Sequence, residues 1–287
     1  MLFNAHAGGL WATFTTGVRR ALATAAGLTR KDAAAAVRVV FAKVAEFQGR
    51  GVVHFHAIVR LDGRAGSSCP PPGWASLSLL RRSIRTAARQ ATVTTARSHR
   101  VAARVLRFGR QVDIRPITAD NDKTASDVVV ARYVAKYATK STESAGLNLP
   151  PICCRTCHGA GTAPSGLCRT CGGTGRRRGV RLDELTGHAH ALVETCWRLG
   201  GQPEFAPLRL RRYAHQAGYR GHFCTKSRSY STTFTALRAE RQAWANAQLV
   251  DRLQLGGTGP LVVVNDWRYQ GRAPGEHERR YGLPGDG

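Results

Sequence analysis

Gly51-Val52-Val53-His54-Phe55-His56-Ala57-Ile58-Val59-Arg60-Leu61 reads as one β-strand carrying two histidines two positions apart. Side chains alternate faces along a strand, so both imidazoles point one way and Phe55, Ala57 and Val59 point the other. Neutral imidazole is a common metal ligand. Two histidines and one further donor suit a divalent ion used in chemistry. Taken alone, a His-x-His strand is more often a pair of satisfied or solvated histidines. The rest of the chain has to decide between these readings.

The segment before this strand, Val37 to Phe47, is rich in β-formers, and Gln48-Gly49-Arg50-Gly51 is a turn signal, so the two strands form a hairpin. Glu46 is the obvious third metal donor, provided that it shares the histidine face. A two- or four-residue loop puts it opposite Val53, on the wrong face. An odd loop such as Gly49-Arg50-Gly51, with a bulge, puts it opposite His54. The two glycines permit the positive φ that a bulged loop needs, so the odd loop is expected. The alternative is that Glu46 faces solvent.

At 287 residues the chain can bury a substantial core in one or two domains. Its 43 Lys+Arg against 18 Asp+Glu give a net charge of +25, which points to a polyanionic partner. Basic residues are spread along the whole length, and neither a bilayer-spanning apolar run nor a signal-peptide pattern occurs. Nucleic acid therefore fits better than an anionic membrane surface.

Upstream of the hairpin, Trp11, Phe14, Val18 and Leu22 recur at helical spacing, and the helix is expected over Trp11 to Leu28. Residues 1–10 carry no clean start signal. Thr29 or Asp32 is expected to cap a short helix through the alanine run. Downstream, Leu77 to Thr95 reads as a helix with Arg81, Arg82, Arg85 and Arg89 on its outer face; phosphate contact and plain solvation are equally open for them. Val101–Phe108 and Val112–Ile114 look like strands around a turn at Gly109.

Val128 to Lys140 is expected to be a helix. Tyr133 and Tyr137 then stack on one face, about 6 Å apart along the axis, with Lys136 and Lys140 on an adjoining face. A tyrosine hydroxyl with a pKa near ~10 is a poor nucleophile. A cation or a metal-bound phosphate beside it makes its attack feasible, and two tyrosines can serve two successive transfers. Core packing is the plain alternative.

Residues 150–180 change character. Cys154-x2-Cys157-x-Gly-x-Gly and Cys168-x2-Cys171-x-Gly-x-Gly form an internal repeat with ten residues between the pairs. Four thiolates so placed can close a structural zinc site, and five cysteines between Cys153 and Cys171 argue for metal in a reducing cytoplasm over disulfides. Cys153 is a spare that could replace Cys154. The repeat looks like half of the zinc-binding region of DnaJ-type chaperones, but over too few residues to imply a chaperone. Arg176, Arg177 and Arg178 follow at once and suit phosphate contacts.

Beyond this insert, helices are expected over Leu182–Leu199, Leu208–Ala217 and Phe234–Leu253, with a short strand at Leu261–Trp267. Gly218 to Thr233 interleaves basic, aromatic and hydroxyl groups. Lys226 and Arg228 there are candidates for DNA phosphates.

His54-Phe55-His56 followed by Tyr133-x3-Tyr137 resembles the two-tyrosine HUH endonucleases. The whole chain resembles, more closely, RepSA-type replication initiators of actinobacterial plasmids and integrative elements. The matching stretches are Leu2–Trp11, Lys43–His56, Tyr133–Lys140 and Gly221–Thr233.

The resemblance implies an α+β fold: an HUH-type antiparallel sheet flanked by helices, with a small zinc-ribbon-like insert and a mainly helical C-terminal region. The segments are expected at 1–148 (nuclease core), 149–180 (four-cysteine zinc-knuckle insert) and 181–287 (basic C-terminal region). It also implies Mg²⁺ or Mn²⁺ on His54, His56 and Glu46, beside the structural Zn²⁺ that the spacing of Cys154, Cys157, Cys168 and Cys171 suggests. Tyr133 or Tyr137 would nick single-stranded origin DNA, aided by Lys136 and Lys140, leaving a 5′-phosphotyrosine and a 3′-OH that primes rolling-circle replication. Host helicase and replication proteins would be partners in the cytoplasm.

Family members usually carry an N-terminal extension with a Cys-rich segment and a first core strand. This chain begins after that point, so an open sheet edge is expected beside the histidine strand. The competing readings are a non-catalytic, zinc-stabilised DNA-binding fragment, and a transposase or relaxase using the same chemistry.

Overall fold

The hairpin organises the sheet in the computed structural model, which describes residues 1–66, 69–117 and 142–228. Strands β1 (Val37–Phe47) and β2 (Val53–Gly63) pair antiparallel over their full lengths, and Glu46 lies opposite His54. Gln48 N–H donates to Val52 O at 3.0 Å, which leaves Gly49-Arg50-Gly51 as the odd, three-residue loop. Gly51 sits at φ +75°, and a Cβ there would run into the Leu192 side chain, so both backbone and packing demand glycine.

The face carrying Phe55, Val59 and Leu61 is covered by α1 (Leu2–Ala25) and α3 (Leu77–Gln90), whose Phe14, Val18, Leu22, Leu79 and Leu80 join Val39 in one buried cluster. Trp11 packs against Phe41 and Phe55 at 5.2 and 5.6 Å between ring centroids. The helices approach closely because small residues meet: a Cβ on Gly17 would lie 3.1 Å from that of Ala87.

Helix α1 starts at Leu2, well before the expected Trp11. No side chain caps it, so the usual start signal is missing. Its first turn is fixed from outside. Asn4, 1% exposed, donates through Nδ2 to Gly51 O (2.8 Å) and Ala217 O (2.9 Å) and accepts from Val53 N–H (3.0 Å). Asn4→Ala leaves three buried backbone groups unpaired and is expected to lower stability by about 3 kcal/mol, read from denaturant midpoints.

Lys43 is the other unusual core residue. It is 4% exposed, and its ammonium lies over the Phe55 ring (4.3 Å) and the Trp11 ring (5.6 Å). Burial lowers its pKa from 10.5 to about 8. The folded state therefore holds the proton less firmly than the unfolded chain. That penalty is fully present below pH 8, fades between 8 and 10.5, and is gone above. The displacement corresponds to about 3 kcal/mol, part of which replacing the cation forfeits as lost cation–π attraction. Lys43→Met is expected to stabilise the protein by about 1–2 kcal/mol at about pH 7. The gain should disappear in unfolding curves above about pH 10.5.

The short helix α2 (Arg30–Ala36) is capped by Thr29, whose Oγ1 accepts from Asp32 N–H. Helix α3 ends at Gln90. The β-branched run after it forms β3 (Thr92–Thr94), paired with β4 (Val105–Arg107). This corrects the expected turn at Gly109: β4 turns back to β3, and Val112–Ile114 forms no strand.

The insert carries a two-residue ladder, β5 (Thr162–Ala163) with β6 (Gly166–Leu167). Helix α4 (Gly187–Leu199) begins later than the expected Leu182, because Thr186 caps it through Ala189 N–H. Leu208–Ala217 is not an α-helix. It is a run of turns and 3₁₀ segments broken by left-handed Arg209 and Ala217. A third strand, β7 (Cys224–Lys226), pairs antiparallel with β1, giving the sheet order β2-β1-β7. Among the described residues β2 has no partner on its other edge.

Ala45, Phe47 and Val53 of the hairpin, Leu147 and Ile152 ahead of the first cysteine, and Val193, Trp197 and Tyr219 after the insert share one buried cluster. All the described residues belong to one compact unit. The architecture is an antiparallel sheet flanked by helices, with a four-cysteine insert and helical turns following it. Among the described residues, no helix is long and apolar enough to cross a membrane.

Candidate functional site

The hairpin register decides what shares the histidine face. His54 and His56 project together, with ring centroids 4.8 Å apart. Glu46 projects beside them from β1. His56 Nε2–H donates to Glu46 Oε2 at 2.7 Å, with both side chains 15% exposed, while His54 is exposed. Two imidazoles and a carboxylate are a donor set that suits a divalent cation with open positions. In this geometry the Glu46–His56 hydrogen bond occupies the atoms that would bind the ion. A cation would take the place of that shared proton.

The four cysteines are already convergent. Among the described residues, Cys154, Cys157, Cys168 and Cys171 are the one set of three or more possible donors whose ligand atoms all lie close together, within 4.8 Å of one another. Cys154 and Cys168 sulfurs are 4.0 Å apart, Cys157 and Cys171 sulfurs 3.7 Å. Tetrahedral zinc with Zn–S bonds near 2.3 Å needs sulfurs about 3.8 Å apart, so the set fits a closed structural site.

Each knuckle supplies its own backbone donor. Gly161 N–H reaches Cys157 Sγ (3.3 Å), and Gly175 N–H reaches Cys171 Sγ (3.2 Å). The second glycine of each repeat sits where a Cβ would strike the other knuckle: Gly161 against Gly173 O, Gly175 against Gly159 O. Hydrogen bonds, chiefly from Cys157 N–H, lower the Cys154 pKa to about 6, whereas desolvation raises that of Cys157 to about 11. Cys153 stands outside the set. Burial raises its pKa, and its thiol donates to Cys154 O. Cys154, and not its neighbour, is the residue placed with the other three.

The insert is anchored to the core by arginines. Arg176 pairs with Glu194 (2.7 Å) and stacks over Trp197, while Arg211 donates to Gly159 O (2.6 Å) and Trp197 O (3.2 Å). Arg177 and Arg178 are exposed, and each donates to a backbone carbonyl, Pro151 O and Arg169 O respectively. Lys226 lies in β7, and Arg228 follows it, exposed.

The family model described as the replication initiator protein RepSA of pSAM2 matches residues 1–281. The chain belongs to the RepSA family of replication initiators. A replication initiator protein of Streptomyces ambofaciens is 40% identical over 288 aligned positions, which cover 96% of this chain and 56% of that protein. This RepSA-family chain thus spans little more than half the length of the curated relative it matches. No solved structure matches it.

Of the residues singled out from sequence, the structure brings Glu46, His54 and His56 to one face and the four cysteines to one cluster. Tyr133, Lys136, Tyr137 and Lys140 lie outside the described residues, as do the segments expected at Phe234–Leu253 and Leu261–Trp267. Asn4 and Lys43 escaped the sequence reading. Both lie in stretches that resemble the family, and no spacing rule picks out a buried polar residue.

Proposed function

We propose that this chain is the part of a rolling-circle initiator that nicks single-stranded origin DNA of a plasmid or integrative element, as a two-tyrosine HUH endonuclease does. The observation that carries the reading is the hairpin register, which sets Glu46 against His56 at 2.7 Å and opposite His54 on one sheet face. Family membership supports the DNA substrate. His54, His56 and Glu46 would hold Mn²⁺ or Mg²⁺, which when bound supplies Lewis acidity to a phosphate oxygen. Glu46 also fixes the His56 ring through its Nε2–H until then.

Tyr133 or Tyr137 supplies the nucleophile. Its oxygen forms a bond to phosphorus while the bond from phosphorus to the 3′-oxygen breaks. The tyrosine proton ends on the released 3′-OH, and the 5′-phosphate stays on the tyrosine. Lys136 and Lys140 offset charge as it develops on the phosphate. Arg177, Arg178, Lys226 and Arg228 hold flanking phosphates, with Arg176 locking the insert that presents the first two. Zn²⁺ on the four cysteines is structural.

The test is a denaturing gel of the chain incubated with single-stranded origin oligonucleotide and Mn²⁺. A shifted band that is lost in the Tyr133→Phe/Tyr137→Phe double variant is expected. Salt-sensitive binding with no adduct would favour the non-catalytic, zinc-stabilised DNA-binding fragment.

A further inference from the structure

We infer that the outer face of α3 is a second nucleic-acid surface, which holds the phosphate backbone of duplex DNA on the side of the sheet away from the histidines. The inference rests on the chain acting on origin DNA and adds to that reading a separate surface with its own ligand.

Between Asp62 and Asp113 the chain has ten arginines and not one carboxylate side chain. No acidic residue precedes Asp32 either, so α1 and α3 form a layer without internal counter-charge. Elsewhere arginines are neutralised, as in Arg60–Asp62, Arg176–Glu194 and Arg181–Asp183. On α3, Arg82, Arg85 and Arg89 are exposed at helical spacing, and none pairs with a carboxylate among the described residues. With Ser78, Arg81 and Thr86 they line a shallow depression of about 350 Å³. Arg81 Nε is shut off from water with no hydrogen-bond partner.

Such a row is costly in self-repulsion unless an anion lies along it. Arg82 to Arg89 spans about 10 Å of helix axis, the length of about three phosphates at ~3.4 Å axial rise per strand. Guanidinium groups interleaved with hydroxyls suit phosphate oxygens. The six lining residues include no aromatic ring, so the surface lacks the stacking platform by which single strands are gripped. That favours duplex.

The placement separates this surface from the hairpin. α1 and α3 cover the Phe55, Val59 and Leu61 face, whereas His54, His56 and Glu46 project from the other. One DNA segment lying along α3 is therefore not the segment under the histidines. The surface would hold flanking duplex while a single strand is worked on opposite.

The test is fluorescence anisotropy of the whole chain with a duplex of about 30 base pairs lacking origin sequence, between about 50 and 300 mM NaCl. The Arg82→Ala/Arg85→Ala/Arg89→Ala variant is expected to keep its thermal midpoint and to bind at least ~10-fold more weakly at about 100 mM salt. Its log–log salt slope should be smaller by about 2–3, equally for unrelated sequences. The corresponding triple Arg→Lys variant should keep most of the slope. An equal charge loss at exposed Arg155, Arg198 and Arg212 should change it far less. A folded alanine variant with the wild-type slope overturns the inference, and so does a loss seen only on single strands. Absence of a tyrosine adduct in the wild type would instead bear on the nuclease reading alone.

Discussion

His56→Ala is expected to slow formation of the covalent DNA adduct by about 10²–10³-fold while leaving the protein folded. The side chain lies on the sheet face opposite the one that carries Phe55, Val59 and Leu61 and packs against the helices, so its loss leaves that cluster intact. Removing it deletes one of the three proposed donors and releases Glu46 from its 2.7 Å partner. Both effects weaken the hold on a divalent ion, so the Mn²⁺ concentration for half-maximal rate should rise together with the fall in rate.

Glu46→Gln separates the contributions. The amide can still meet His56, but its charge is gone, so rate should fall and part of it should return at high Mn²⁺. A His56→Ala variant with an unchanged rate and Mn²⁺ dependence would remove the hairpin from the chemistry.

Cys154→Ser is expected to abolish the proposed binding of zinc by the four cysteines and to unfold the insert. Zinc–tetrathiolate sites contribute on the order of ten kcal/mol of binding energy that is also folding energy. Serine supplies no thiolate, and few other contacts hold these residues. The local core is the cysteines themselves, and the only strands there among the described residues are the two-residue β5 and β6.

Cys153→Ser is the control. Cys153 lies outside the four-sulfur set, so zinc content by elemental analysis should stay at one. Because thiolates and not thiols bind, zinc retention should decline as pH falls. Damage should extend past the insert, since Arg176–Glu194 and Arg211–Gly159 tie it to α4 and to the turns after it. Equal zinc retention in both serine variants would mean that Cys153 stands in for Cys154.

The hairpin and the zinc knuckles were legible in the sequence because each is written in local chemistry. Two glycines flanking Arg50 specify an odd loop, and alternation then fixes which face Glu46 joins. The knuckle spacing brings four sulfurs together almost by itself. What the sequence hid depends on distant partners. Helix α1 begins at Leu2 because Asn4 is clamped by the Gly51 loop and Ala217, neither of which is near it in sequence. Strand β7 is three residues long and exists by pairing with β1, which lies far back in the chain. The Leu208–Ala217 stretch has a helical composition, but two left-handed residues break it into turns that bury Leu210, Ala214 and Ala217.

A tyrosine nick is read most directly by mass spectrometry of the digested adduct. Trypsin cuts after Arg132, Lys136 and Lys140, so Tyr133–Lys136 and Tyr137–Lys140 are released as separate peptides. After reaction with single-stranded origin DNA and Mn²⁺, followed by nuclease trimming, one of these two peptides should carry a 5′-phosphonucleotide. Its identity would name the tyrosine that attacks first. A nucleotide on any other peptide, or none while the oligonucleotide is cut, would exclude Tyr133 and Tyr137 as the nucleophile.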